Sequence, residues 1–189
     1  MRRTIILCTL ALACAPDGHE GTTGETGTTG GTTDDRPAGC ACIPETAEPG
    51  VFGPPELPTC GEHVCGAIVG QEALSGGLEL DAPANLDCAL LKLRDRVPGL
   101  LTWEINPNQA FTDEGYVLIH ADGNAIFRRH GARDLGYVVG DAQLGPLKSV
   151  GFFSDCLALP VGDAGRLDCL RTAMEAVTAV CDPGWSGGF

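Results

Sequence analysis

Tyr116-Val117-Leu118-Ile119-His120-Ala121-Asp122-Gly123-Asn124-Ala125-Ile126-Phe127-Arg128-Arg129-His130 is the stretch that decides the fold. Two runs rich in β-branched and apolar residues flank Asp122-Gly123. An Asp-Gly pair supplies the positive-φ backbone that a tight hairpin turn demands. The stretch therefore reads as two antiparallel strands, Tyr116 to Ala121 and Ala125 to His130. Upstream, Leu101, Trp103 and Ile105 alternate with Thr102, Glu104 and Asn106, the period of a half-buried strand. Asn106-Pro107-Asn108 turns after it. Downstream of Gly131, Leu135 to Val139 reads as another strand, and Ala67 to Gly70 and Leu78 to Leu80 read as short ones. The expected core is an antiparallel meander of three or four strands.

The period changes on either side of these strands. Asp81-Ala82-Pro83 offers a cap and an early proline for a helix. Leu86, Ala89, Leu90, Leu93 and Val97 then recur at helical spacing, with Lys92, Arg94, Asp95 and Arg96 on the other side and Pro98-Gly99 as the stop. Leu147 to Leu159 reads as a second, short helix, weakened by Gly151 beside β-branched Val150. Arg166 to Cys181 reads as a third, with Leu167, Leu170, Met174, Val177 and Cys181 as its apolar stripe and Asp182-Pro183-Gly184 as its end. Helices before and after a set of strands predict an α+β fold with the helices packed on one sheet face. Between residues 38 and 65 the chain is rich in Pro, Gly, Cys and Glu, and five prolines there exclude a long helix or a central strand.

The amino-terminal region has a different character. Met1-Arg2-Arg3 precedes an apolar run from Thr4 to Ala13, and residues 1–13 read as a secretory signal. A bilayer-spanning helix would need roughly 20 apolar residues, so this run is too short to span. The ending Leu10-Ala11-Leu12-Ala13-Cys14 resembles the lipobox of bacterial lipoproteins. That resemblance implies a diacylglycerol on the Cys14 sulfur, cleavage before Cys14, and acylation of the new amino terminus with a palmitate-type chain. Each buried methylene contributes about 0.8 kcal/mol, so two or three acyl chains anchor stably. Ala15 stands where an inner-membrane retention Asp would be. By the same resemblance, to Gram-negative lipoproteins, the expected address is the outer membrane of the cell envelope.

Residues 14–39 follow as a tether. Gly21 to Asp35 reads GTTGETGTTGGTTDD, with no large apolar side chain to offset the entropy of ordering. The 25 residues from Ala15 to Gly39 reach roughly 25–30 Å as a flexible coil.

Residues 40–189 are then one domain of 150 residues, enough for a real core. It holds nine Lys and Arg against 20 Asp and Glu, a net charge of −11, which argues against nucleic acid as a partner. Its eight cysteines are Cys40, Cys42, Cys60, Cys65, Cys88, Cys156, Cys169 and Cys181. In an exported chain an even count reads as a disulfide framework. Four lie before residue 66 and four after residue 87, and the two groups are expected to pair mostly within themselves. A zinc site from Cys60, His63 and Cys65 with Cys40 and Cys42 would need a standard C-x2-C spacing, which is missing. No metal and no cofactor is expected.

Sites for chemistry are sparse. No H-E-x-x-H, P-loop or S-x-x-K pattern occurs. A spatial triad would have to draw on His120 or His130 with Asp122 or Asp134. Arg128, Arg129 and Arg133 form the one basic cluster in an acidic domain. They are the candidate anion-binding residues, unless they pair with the protein's own carboxylates or guard a strand edge. Asp113, Glu114, Asp122 and Asp141 lack the order of a calcium loop. Trp103, Tyr116, Phe127, Phe152 and Phe153 read as core before they read as a ligand groove. The leading expectation is a non-catalytic envelope domain that binds a protein, glycan or other envelope component. A hydrolase with a spatially assembled site is the alternative. The second alternative is a protease-inhibitor-like module with Glu45 to Thr59 as exposed loop.

Overall fold

In the computed structural model of the chain, residues 36–45, 54–73, 77–107, 109–134 and 136–188 are described. The signal, Cys14 and most of the tether lie outside these residues, as does most of the Glu45 to Thr59 loop. The elements are β1 (Ile68–Glu72), β2 (Leu78–Leu80), α1 (Pro83–Asp95), β3 (Gly99–Ile105), β4 (Asp113–Ile119), β5 (Asn124–Arg133), β6 (Gly136–Val139), β7 (Ala142–Pro146), α2 (Val150–Ala158), α3 (Ala164–Arg171), β8 (Ala179–Asp182) and β9 (Trp185–Gly188). The class is α+β, stapled by disulfides. The sheet is larger than a meander of three or four strands, with nine strands among the described residues, and it is mixed. β1 runs parallel to β3, with α1 in the connection between them. All other pairings between named strands are antiparallel.

The hairpin of β4 and β5 forms where the Asp-Gly pair places it. Ile119 faces Ala125, and Gly123 takes φ 85°. Asp122 accepts from the Asn124 amide at 2.9 Å, which holds its carboxyl below the usual range. β5 is ten residues long and has two successive partners on its far edge. His130 faces Val139 of β6, while Phe127 faces Gln143 of β7. The register advances by one residue between them, so β6 and β7 are one strand bent by a bulge at Gly140-Asp141. β8 and β9 follow the same bend through Pro183-Gly184. The nine strands thus lie in seven rows: β2, β1, β3, β4, β5, then β6 with β7, then β8 with β9.

Alternation divides the sheet's side chains between two cores. Ile68, Leu101, Trp103, Ile105, Val117, Ile119 and Ala125 face the three helices, as the sequence leads one to expect. α1 contributes Leu86, Ala89, Leu90 and Leu93. It begins at Pro83 with Ala82 in the cap position and no side-chain cap, while the Asp81 amide bonds Val69 O in the sheet. It ends at Asp95, before Val97, with Arg96 in the left-handed region. α2 begins after Ser149, whose side chain accepts from the Phe152 amide at 3.1 Å. Leu147, expected inside that helix, instead bridges to Met174. On the opposite face, Leu100, Tyr116, Leu118, Ile126, Ala142 and Leu144 lie under the lead-in residues Cys40 and Ile43.

The third helix is a correction. The apolar stripe predicts Arg166 to Cys181, but α3 stops at Arg171 and the chain turns back into the sheet. The Glu175 amide bonds Pro146 O, the Thr178 amide bonds Leu144 O, and β8 follows. Val177, Thr178 and Val180 are β-branched, and the open edge of β7 offers them a ladder that a helix cannot.

All eight cysteines of residues 40–189 are paired: Cys40–Cys181, Cys42–Cys60, Cys65–Cys88 and Cys156–Cys169. This framework marks a chain that matures in an oxidising compartment outside the cytoplasm. Two of the four bridges cross between the early and late groups, against the expected pairing within groups. Cys65 meets Cys88 because α1 packs beside β1, and Cys40 meets Cys181 because the lead-in lies over β8. No helix of the described residues is long and apolar enough to cross a membrane.

Candidate functional site

The basic run Arg128-Arg129-His130-Gly131-Ala132-Arg133 occupies the second half of β5, and strand alternation sends its members to opposite faces. Arg128 lies on the lead-in face and is 1% exposed. Its Nε donates to Gly140 O at 2.9 Å, and Nη2 donates to Asp182 Oδ2 at 2.5 Å and Pro183 O at 3.3 Å. These acceptors sit on the two bends of the neighbouring rows. Arg128 therefore satisfies carbonyls that the bulge takes out of the ladder. It is a structural cation, committed to acceptors of the fold itself.

Arg129 and Arg133 project to the helix face. Asp113 accepts from Arg129 Nε on one oxygen. Its other oxygen accepts from Arg171 Nε at 2.6 Å and Nη2 at 2.5 Å. Arg171 also reaches Asp168 at 3.0 Å and Glu72 at 2.9 Å, so it joins α3 to β1 and β4. Burial alone would lower the pKa of Arg171, but these three carboxylates outweigh it and the value is raised. Arg129 keeps part of its side chain in solvent. Arg133 is exposed, and no side-chain ion pair or hydrogen bond engages it among the described residues. Two adjoining cavities of about 170 and 220 Å³ share Thr112, Asp113, Arg129 and Arg133. Phe111 and Arg171 complete the first, and Val138 and Gly140 the second.

On the lead-in face, His130 Nδ1 lies 2.8 Å from the Tyr137 hydroxyl and 3.5 Å from Glu114 Oε2. Burial, helped by Arg128, pulls the imidazole pKa down to about 4, so His130 is neutral at pH 7. Burial also raises Glu114, with Glu104 and Asp113 adding to it, and raises Tyr137. Tyr116, beside Arg128, is pushed up to about 12 by burial. Tyr137 and Trp185 extend the row with ring centroids 6.0 Å apart.

The triad candidates separate. His120 and Asp122 share the hairpin turn, where Asp122 is committed to Asn124. Asp134 sits in a left-handed turn at φ 52°, and His130 partners Tyr137 instead. Disulfides take up the thiols around Cys40, Cys42, Cys60 and His63, so the zinc reading loses its ligands. Among the described residues no three His, Cys, Asp or Glu side chains gather for a metal ion. Asp141, considered for calcium, accepts from the Gly184 amide at 2.7 Å. Trp103, Tyr116 and Phe153 are core, while Phe127 and Phe152 are half-buried at its margin. Sequence reading missed Glu72, Tyr137 and Arg171. Arg171 lies 58 residues from Asp113 in the chain, and nothing local announces the contact. Comparison of the chain with protein-family models, curated proteins and solved structures gave no match.

Proposed function

We propose that this protein is a lipid-anchored component of a Gram-negative cell envelope, whose domain is a non-catalytic binding or structural module held at the outer membrane through Cys14. The observation that carries the reading is the complete pairing of the eight domain cysteines, taken with the lipobox-like Leu10 to Cys14. Disulfide pairing requires export, and an export signal that ends in a lipobox-like cysteine supplies both the route and the anchor. The Thr/Gly tether supports it, because a lipid-held domain needs slack to clear the headgroups. The burial of His130 against Tyr137 favours binding over hydrolysis. The partner is an envelope protein or glycan, and the net negative charge of the domain argues against nucleic acid.

The test is metabolic labelling of the full chain in a Gram-negative host with a clickable palmitate analogue, followed by membrane fractionation. Label is expected in the wild type, in the outer-membrane fraction, and is expected to vanish in Cys14→Ser with release of the domain. Unlabelled wild-type protein, or cytosolic protein with titratable thiols, overturns the reading.

A further inference from the structure

The cleft on the helix face of β5 joins features that the fold itself leaves unused. Arg128 and Arg171 spend their charge on the protein's own groups. Arg133 does not, and Arg129 is only partly covered by Asp113. Within the smaller cavity Asp113, Glu72 and the adjoining Asp168 are spent on Arg171 and Arg129, so Arg133 is the guanidinium of the lining that none of these carboxylates pairs, in a chain of net charge −13. The wider field opposes an anion, but at physiological ionic strength it is screened beyond about 8 Å, and the local balance decides. Beside Arg133, the Phe111 ring is 55% exposed, and Val138 is 39% exposed in the adjoining cavity. The backbones of Phe111 and Arg133 bridge, which sets the ring and the guanidinium side by side. A planar cation next to an open aromatic face fits an oxyanion carried on a ring or apolar body.

We propose that this cleft is a binding site for a carboxylate or phosphate group, held by Arg133 and the open side of Arg129, with the body of the ligand resting on Phe111. The inference deepens the envelope-binding reading by naming the chemistry recognised. Carboxylates of envelope peptides or acidic sugars and phosphates of lipid headgroups share that chemistry.

The experiment is an amide NMR titration of the full mature chain in neutral detergent, using benzoate, acetate and inorganic phosphate as probes. Shifts are expected to cluster at Thr112, Gly131, Ala132 and Arg133. Arg133→Gln, a substitution at an exposed position, is expected to weaken binding about tenfold or more. Phe111→Ala is expected to remove the advantage of benzoate over acetate and leave phosphate unchanged. Benzoate ahead of phosphate points to a carboxylate source, and the reverse order to a phosphate source. Shifts scattered elsewhere, or equal binding by Arg133→Gln, overturn the proposal. Acylation at Cys14 does not depend on Arg133, so failure here leaves the anchoring reading intact, and loss of acylation leaves the cleft to be tested.

Discussion

Arg128 and Asp182 form an ion pair at 2.5 Å between side chains only 1% and 8% exposed, at the place where two rows of the sheet bend together. Two buried charges are tolerated because each offsets the other's desolvation, and removing one strands its partner. Arg128→Met is therefore expected to cost about 3–5 kcal/mol. Asp182→Asn should cost less, since an amide still accepts from Arg128. Denaturant melts of the two variants check the order. Equal, small losses would remove the pair from its role at the bend.

The same pair shows where sequence legibility ends. The hairpin at Asp122-Gly123 was readable because turn chemistry is local. The Leu101 to Ile105 strand and the Leu86 to Leu93 helix face were readable because their periods are local as well. The bend in β6 and β7 was not readable, since a bulge is defined by register against β5 and no residue announces it. The end of α3 was misread for a related reason. Met174 and Val177 keep helical spacing, yet the choice between helix and strand lay with the unpaired edge of β7. Arg129 and Arg133 were visible as a cluster, while their separation from Arg128 came only from alternation along a strand whose edges the sequence placed approximately.

Cys40–Cys181 closes a separation of 141 residues and Cys156–Cys169 one of 13. On the chain-entropy account these loops are worth about 5 and about 3 kcal/mol. The double variant Cys40→Ala/Cys181→Ala should lose more stability than Cys156→Ala/Cys169→Ala. It should also loosen the lead-in, because Cys40 and Ile43 cover the face that holds Tyr116 and Leu118. Thermal melts rank the two, and hydrogen exchange at Leu118 and Ile126 reports the uncovering. Peptide mapping without reduction should return the four pairs, and any other connectivity would contradict the fold as described.

Gly115 sits in β4 opposite Trp103, whose ring lies flat across it toward Phe127, with ring centroids 5.7 Å apart. A Cβ there would come within 2.3 Å of the Trp103 ring and 2.4 Å of Arg128 O. Gly115→Ala is expected to cost about 1–3 kcal/mol by overpacking, with a changed near-UV circular dichroism signal from the tryptophan. Gly123 has open space around it and only its φ of 85° to defend. Gly123→Ala should cost about 1–2 kcal/mol through backbone strain, with that signal unchanged. A Trp103 signal that moves in both variants, or in neither, would reject this division between packing and conformation.

His130 gives the domain an acid limit. Its pKa falls to about 4 in the folded protein, against 6.5 in the unfolded chain, so between those values the unfolded state binds more protons. The stabilisation from keeping His130 neutral is fully present above pH 6.5. It declines by about 1.4 kcal/mol per pH unit as the pH falls through that window, and the decline ends below pH 4. Besides burial, the groups that act on the imidazole are Arg128 on β5, which lowers its pKa, and Asp113 on β4, which raises it, with Tyr137 on β6 and Glu114 on β4 as its polar neighbours. Glu114 acts with the opposite sign. Its pKa is raised on folding, so the folded state takes up that proton more readily and regains part of the loss as the pH falls. The His130 contribution falls between pH 6.5 and about 4, and Glu114 offsets part of it. His130→Gln keeps a polar partner for Tyr137 but does not titrate. It should flatten the curve across that interval and leave stability above pH 7 within about 1–2 kcal/mol of wild type. Chemical denaturation at half-unit pH steps makes the comparison. If wild type and His130→Gln trace parallel curves from pH 7 to 5, the imidazole is not the proton acceptor that sets the limit.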